Sequence, residues 1–444
     1  MPMPTATGLV RLVRSPAAGA VFAQVWQATG SFAIQILAAH LLGATGLGTI
    51  SLCLGVIVLT AAVASGLVGD GLTVLDRSAD PVRAGLQVWA LVLALVGPGV
   101  TAFILYRTGL VDPAAALAFA LASCFFLLEE LLRRVLTATM CFWRLVAVDS
   151  AALAVTLIAL MVIGRGQMSP MTFLAAVAVG QAAGCLMAVL MLPRTERWVA
   201  PWRGAALRQV WGFGVWRGLQ VAVNPSALTG LRVLVVAAAG LAVLGPLEAA
   251  RIFVAPATLV VQGLGSYLLA SYARDRRLPM AVLLRRATRA AAAMAGGALL
   301  LGGLAAALVP VAGRLVSGPE FAIAPTAVLA WSGYAAAAAL MQPFASLAAA
   351  RGGQRAVFAV RVGDSSLGLA LLLLAVQVLH WSADVAPLAL ALGLVAGGIV
   401  IRKVVLPRVQ RDGISTRPTG SSLLSVTDHN AARTRVRDNA IAGA

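Results

Sequence analysis

Arg217, Arg232 and Arg251 fall inside or at the ends of long apolar runs, where a charge is costly unless it is paired or faces water. A guanidinium is a planar fork of donors. Two or three facing a shared cavity would grip a phosphate or diphosphate through paired hydrogen bonds. A structural alternative lies in the same stretch. Glu248 precedes Arg251 by three residues, on one helix face, and Arg232 could reach it across the turn between two runs. Arg217, at the head of its run, could instead snorkel to lipid headgroups.

The carboxylates divide the same way. Glu129 and Glu130 precede Arg133 and Arg134 by four residues each, the favoured order for helical ion pairs, so this cluster is expected to form a latch. Asp149 and Asp364 stand near the starts of apolar runs, where the helix dipole stabilises an acid. Together with Glu248 they are either structural acids or groups that couple a proton or sodium ion. Gln24, Gln27, Ser31 and Gln35 form a polar stripe at near-helical spacing, and Arg217, Gln220 and Asn224 form another. Two such stripes would line a watered cavity suited to a sugar-bearing molecule. Hydrogen bonding between helices is the alternative.

Other chemistry is missing. Cys53, Cys124, Cys141 and Cys185 lack metal-type spacing and imply no disulfide framework, and His40, His380 and His429 are scattered. No phosphate-binding loop or nucleophile elbow occurs, so no catalytic residue, metal site or cofactor is expected and the chain does not read as an enzyme. Gly180-Gln-Ala-Ala-Gly184 fits a pattern for close helix packing.

The elements that must position these residues are membrane helices. The chain is 60% hydrophobic and only 11% charged, against about 25% charge in soluble domains. Its net charge of +18 is spread through short gaps and builds no basic face, which argues against a nucleic-acid partner. Helices are predicted near 18–42, 49–69, 85–106, 114–132, 146–164, 170–192, 212–240, 247–270, 289–312, 322–349, 363–380 and 386–402, each near the ~20 residues a bilayer requires. Breakers mark several gaps, among them Asp112-Pro113, Ser169-Pro170, Gly245-Pro246 and Gly352-Gly353, and Pro225 is the expected kink in helix seven. Of the 34 basic residues, 28 fall at alternate gaps and the termini, while Arg107, Arg165 and Arg314 occupy the opposite set. That bias predicts an all-α polytopic protein with both termini inside.

The expected organisation is a cytoplasmic N-terminus (1–17), an N-lobe (18–192), a cytoplasmic linker (193–211), a C-lobe (212–402) and a disordered cytoplasmic tail (403–444). Arg11 and Arg14 before an apolar stretch mimic a signal peptide, but Gln24, Gln27 and Gln35 favour a retained first helix. Trp198 and Trp202 in the linker favour the membrane surface. Residues 38–46 before helix two and 237–245 before helix eight have similar layouts, a hint of internal repetition.

Several segments resemble the polysaccharide and O-antigen repeat-unit flippases of the multidrug/oligosaccharidyl-lipid/polysaccharide exporter superfamily. They are Ala39-His-Leu-Leu-Gly-Ala-Thr-Gly-Leu-Gly48, Glu129-Glu-Leu-Leu-Arg-Arg134, Gly212-Phe-Gly-Val-Trp-Arg217, Leu231-Arg-Val-Leu-Val, Leu244-Gly-Pro-Leu-Glu-Ala-Ala-Arg251 and Ala255-Pro-Ala257. His40 and Leu47 depart from the family's Arg and Phe, so no cationic site is carried onto the first helix. The resemblance spans about 30–360. It implies two six-helix, MATE-like lobes around a cavity that opens alternately to each side of the bacterial inner membrane. It further implies a polyprenyl-diphosphate-linked oligosaccharide as substrate, for cell-surface polysaccharide or exopolysaccharide biosynthesis, and polymerase and export machinery as partners. Alternatives are a cation-coupled multidrug antiporter, although no acid occurs between 18 and 42, and a peptidoglycan lipid-precursor flippase. A polytopic enzyme is a third, but it would need a larger soluble loop.

Overall fold

In the computed structural model, which describes residues 16–76, 78–163, 168–197, 199–275, 278–317, 321–377, 379 and 382–415, the apolar runs fold as α-helices. Trp198, Arg165, His380, the segment before 16 and the tail from 416 onward lie outside these residues. The order is α1 (Pro16–Ala64), a π-helical turn (Ser65–Gly69) that leads into α2 (Asp70–Val74), α3 (Asp80–Arg107), α4 (Pro113–Ala138), α5 (Phe142–Ile163) and α6 (Pro170–Met191). The second half holds α7 (Leu207–Ala239), α8 (Leu241–Arg274), α9 (Met280–Ser317), α10 (Pro325–Ala350), α11 (Gln354–Gln377), α12 (Ala386–Val400), a second π-helical turn (Ile401–Val405) and α13 (Leu406–Ser415). Among the described residues ten helical stretches are long and apolar enough to cross a membrane, and the protein is multi-pass. The long helix α10 is not among the ten. It packs between α8, α9 and α12 and buries most of its length, so it has little need of a lipid-compatible surface.

Two glycines break the helices at corresponding places. Gly43 leaves helical geometry inside α1 (φ 65°, ψ −167°), and Gly240 does the same between α7 and α8 (φ 84°, ψ 171°). Both sit at positive φ, where a Cβ is strained. Five residues past each break comes a second glycine, Gly48 or Gly245, and both pairs are related by a shift of 197 positions. A Cβ on Gly48 would overlap the carbonyl oxygen of Leu241, and one on Gly245 would overlap that of Ala44. The two strands of this crossing thus exchange identical contacts. The comparison of 38–46 with 237–245 aligns the repeat two residues out of step, because it matches small residues and not the positive-φ breaks.

Neighbour relations repeat in the same way. The pairs α3–α4, α4–α6 and α5–α6 recur as α9–α10, α10–α12 and α11–α12, and the halves meet where α1 packs on α7 and α8. At the other end of α1 the π-helical turn is wholly buried. There a Cβ on Gly66 would lie 2.5 Å from the Cα of Gly218, and one on Gly214 would overlap the Leu67 carbonyl oxygen.

Residue chemistry explains the helix starts. Asp112 caps α4 by accepting from the Ala115 amide at 2.6 Å, and Ser169 and Thr172 form a reciprocal capping box on α6, each ahead of a proline in the first turn. The predicted start of α8 after Gly245-Pro246 is corrected to Leu241, with Pro246 inside the helix. Helices α9 and α11 begin about nine residues before their predicted starts. Arginine is a good helix former, so the helix continues through Arg285, Arg286, Arg289, Arg355 and Arg361 where hydropathy falls. The disorder expected from 403 is corrected over the described residues. Through Ser415 the chain is helical, and Val405 and Leu406 are buried against the core.

The linker lies on α3. Arg83 donates to Glu196 at 2.9 Å, the Ala200 amide donates to the Gln87 side chain at 3.0 Å, and the Ala206 amide donates to the Pro81 carbonyl at 2.8 Å. Trp89 donates to the Leu207 carbonyl at 3.1 Å and its ring packs on Trp211 with centroids 4.8 Å apart. Trp202 is exposed.

Candidate functional site

Each half holds a cavity, and the two differ in sign. The C-half cavity, of about 420 Å³, lies between α7, α8, α10 and α11 and reaches α12. Its polar lining includes Asn224, Arg251, Gln262, Tyr334, Gln342 and Arg361. Asn224 accepts from the Tyr334 hydroxyl at 3.0 Å. Trp331, also in the wall, spends its indole donor on the Leu247 carbonyl at 2.9 Å, which leaves its ring as an apolar face.

The arginines sort by position. Glu248 is 1% exposed and accepts from Arg232 Nε at 3.0 Å and Nη2 at 3.2 Å, and from Arg251 Nε at 2.8 Å. Arg251 also donates to Gln35 at 3.1 Å, a contact from the first half to the second. Both pairings foreseen for Glu248 are therefore present. Arg232 is 6% exposed, and its guanidinium lies against Gly55, where a Cβ would come within 2.5 Å of Nη1. It does not line the cavity; Arg251 does. Arg217 stands apart, fifteen residues and so ~22 Å down the same helix, where it pairs with Asp70 at 2.8 Å and donates to Gln220 at 3.1 Å.

Arg361 joins the site unforeseen. It donates to the Met341 sulfur at 3.7 Å and interacts electrostatically with Asp364, although among the described residues no carboxylate lies within ion-pair distance of it. In the sequence it counts among the basic residues of a loop. Its signal was the acid three residues on: Asp364 on the same face argues for helix already formed there.

Asp364 does not cap α11, since it is the eleventh residue of that helix. It is 4% exposed and accepts from Ser365 at 3.1 Å, and its Oδ2 has no hydrogen-bond partner among the described residues. Gly397 of α12 makes room for it, as a Cβ there would meet Oδ2 at 2.5 Å.

The N-half cavity is smaller, about 70 Å³, and acidic: Glu129, Glu130 and Asp149 line it with Arg133, Gln27, Ser31, Trp26 and Gln181. The expected pair Glu130–Arg134 forms at 3.0 Å. The expected pair Glu129–Arg133 does not, because Arg133 turns to Asp149 on α5 and to Glu130 at 3.5 Å. Asp149 is consequently no cap; α5 starts seven residues earlier, at Phe142. Gly180 and Gly184 let α6 approach α5 and α4, and a Cβ at Gly184 would stand 2.8 Å from the Glu129 carboxyl carbon.

Of the polar stripes, Gln27 and Asn224 line the two cavities, one in each half, and occupy matching positions, as do Gln35 and Arg232. Gln24 is exposed on α1, and Gln220 is held by Arg217.

No protein-family model matches the chain, and no curated protein matches it by sequence. Solved structures do. An inward-facing multidrug resistance MATE family transporter of the MOP superfamily aligns over 88% of this chain and 96% of its own, at 12% identity and a TM-score of 0.70. The lipid II flippase MurJ, in an inward closed conformation, aligns over 86% of each chain at 11% identity and a TM-score of 0.70. A MOP superfamily transporter from Pyrococcus furiosus, described as having reversed polarity of its binding pocket, aligns over 90% of this chain and 98% of its own at 14% identity and a TM-score of 0.61. The fold is therefore that of the MOP-superfamily transporters, represented by MATE and MurJ structures.

Proposed function

We propose that this chain is a flippase for a polyprenyl-diphosphate-linked oligosaccharide in the bacterial inner membrane, working by alternating access and serving surface or exported polysaccharide. The observation that carries the reading is the C-half cavity, where Arg251 and Arg361 face a space ringed by amide side chains, a tyrosine and a tryptophan. Arg361 has no carboxylate within ion-pair distance among the described residues, and Asp364, which acts on it from three residues on, leaves its forked donors free for an anion. Paired guanidinium groups suit phosphate oxygens, and amides with an aromatic face suit sugar hydroxyls and rings. Arg232 holds Glu248, and Glu248 orients Arg251 toward the cavity. Arg217 stays at the far end of α7 as a partner for Asp70. The lipid tail remains in the bilayer while the head group passes between the halves.

Twelve crossings follow when the arms of α1 on either side of Gly43 are counted separately and α10 is included. The basic-residue bias then supports both termini inside, with Gly48 and Gly245 on the outer side. In that frame the Gly48–Gly245 crossing closes the outer face.

The test is a flipping assay in proteoliposomes that carry a fluorescent polyprenyl-diphosphate oligosaccharide, read by access of an added glycosidase. Wild-type protein should speed the loss of protected substrate, and Arg251→Ala and Arg361→Ala should abolish the gain. If flipping persists unchanged in both variants, the anion site is wrong. Transport of a cationic drug with no effect on the lipid-linked sugar would favour the multidrug antiporter, and flipping restricted to a peptidoglycan precursor would favour that narrower substrate.

A further inference from the structure

Arg251 and Arg361 are the only charged side chains among the described residues that line the C-half cavity. The charges behind them set how much anion the site can neutralise. Glu248 is shared by Arg232 and Arg251, so these three groups together leave one positive charge. Arg361 supplies a second, and Asp364 acts on it from outside the lining. The nearby pair Arg217–Asp70 is balanced within itself. The site therefore offers at most two net positive charges, from one arginine on α8 and one on α11.

The donors are divided in the same way. Arg251 spends Nε on Glu248 and one N–H of Nη2 on Gln35, which leaves Nη1 and the rest of Nη2 for the cavity. Arg361 donates to the Met341 sulfur, a weak acceptor. Both guanidinium groups act on the Tyr334 phenol, so a ligand beside that phenol lies in the field of each. The remaining polar lining is neutral: Asn224, Thr258, Gln262, Tyr334 and Gln342. Gln342 lies across Gly265 of α8, where a Cβ would come 2.5 Å from its Nε2. Amide groups both donate and accept, as sugar hydroxyls do, but they do not neutralise a charge.

We infer that the head group taken by this cavity is an uncharged oligosaccharide on its diphosphate, and that acidic sugars are rejected. The inference rests on the flippase reading above and names the sugar class of that same site. A diphosphate joined to a lipid at one end and a sugar at the other carries one negative charge on each phosphate. Arg251 and Arg361 match those charges one for one, and no cation in the lining is left for another. A uronic acid carboxylate would stand among amides, Trp331, Tyr334 and apolar side chains, where an unpaired charge is costly. A sugar with a free amine meets the opposite difficulty, since the lining offers it two like charges and no carboxylate. Neutral sugars carry neither penalty.

The experiment is titration calorimetry on the full-length protein in detergent, with short-prenyl diphosphate esters of glucose and of glucuronic acid. The glucose ester should bind at least about tenfold more tightly, the scale of one charge-assisted hydrogen bond. The matching glucose monophosphate ester should bind more weakly than the diphosphate, because one guanidinium is then left without its anion. Gln262→Arg and Gln342→Arg each add a cation to the lining and should tighten binding of the glucuronate ester. Gln262 is exposed, so its variant keeps the test available if the change beside Gly265 disturbs packing; size exclusion checks both. Equal affinity for the two diphosphate esters, or a preference for the glucuronate, overturns the inference and leaves the anion site standing. So does a normally eluting Gln262→Arg protein that gains nothing for the glucuronate ester, or a monophosphate that binds as well as the diphosphate. Binding of neither diphosphate ester overturns the flippase reading together with this one.

Discussion

Gly48 and Gly245 are each other's counterparts across the two halves: each lacks the Cβ that would overlap a backbone carbonyl on the opposite helix, Leu241 for one and Ala44 for the other. A carbonyl cannot rotate aside as a side chain can, so a bulkier residue at either position must separate the helices.

Gly48→Val and Gly245→Val should each lower stability by about 1–3 kcal/mol, the usual cost of overpacking. Thermal unfolding in detergent measures it, with Gly99→Val as the control because a Cβ at Gly99 meets nothing within 4 Å. The double variant should lose less than the sum, since helices already separated by the first substitution accommodate the second. Additive losses would show that the two contacts are independent.

Glu248→Gln should be among the more damaging single changes, costing about 3–5 kcal/mol, because it strands the buried Arg232 guanidinium. Adding Arg232→Gln should recover part of that loss. Arg251→Gln should cost less than Glu248→Gln, since Arg251 is partly exposed to the cavity and Arg232 still neutralises Glu248. Denaturation of the three variants decides the order, and a mild Glu248→Gln would mean the triad adds little.

Replacing Arg361 with Ala should weaken binding of a soluble diphosphate-sugar analogue by about ten- to a hundredfold, the worth of a charge-assisted hydrogen bond. Arg217→Ala should leave that affinity unchanged, because Arg217 is paired with Asp70 far from the cavity. Equal losses in both variants would point to a general effect of positive charge.

Ser169→Ala should destabilise by about 1 kcal/mol through loss of the α6 cap, and Ser169→Asp should hold most of it. A shift in the melting temperature of the alanine variant, recovered in the aspartate variant, is the expected result.

Helices were the most legible part of the chain, because twenty-residue apolar runs have few other solutions. Their arginine-rich ends were hidden: a hydropathy window stops at Arg355 or Arg361, while the backbone continues its hydrogen bonding through them. That shift placed Arg361 in a loop and made Asp364 look like a cap. Arg232, Glu248 and Arg251 could be grouped from spacing alone, since a tight turn returns α8 alongside α7. Glu129 could not be separated from Glu130 in the same way. Both have an arginine four residues on, and only the position of Asp149 on α5 decides which of them Arg133 abandons.

The linker between the halves is bonded to α3 through Glu196, Ala200 and Ala206, Trp89 grips Leu207 and Trp211, and Gly214 and Gly218 lie against the π-helical turn at the end of α1. While those contacts hold, the first third of α7 travels with the N-half although its sequence belongs to the C-half. For the alternating access proposed above, the hinge would therefore fall within α7, past Gly218, and not at the covalent linker. Pro225 lies in that interval and supplies no amide for the Val221 carbonyl, so the helix is missing a rung where it would have to bend.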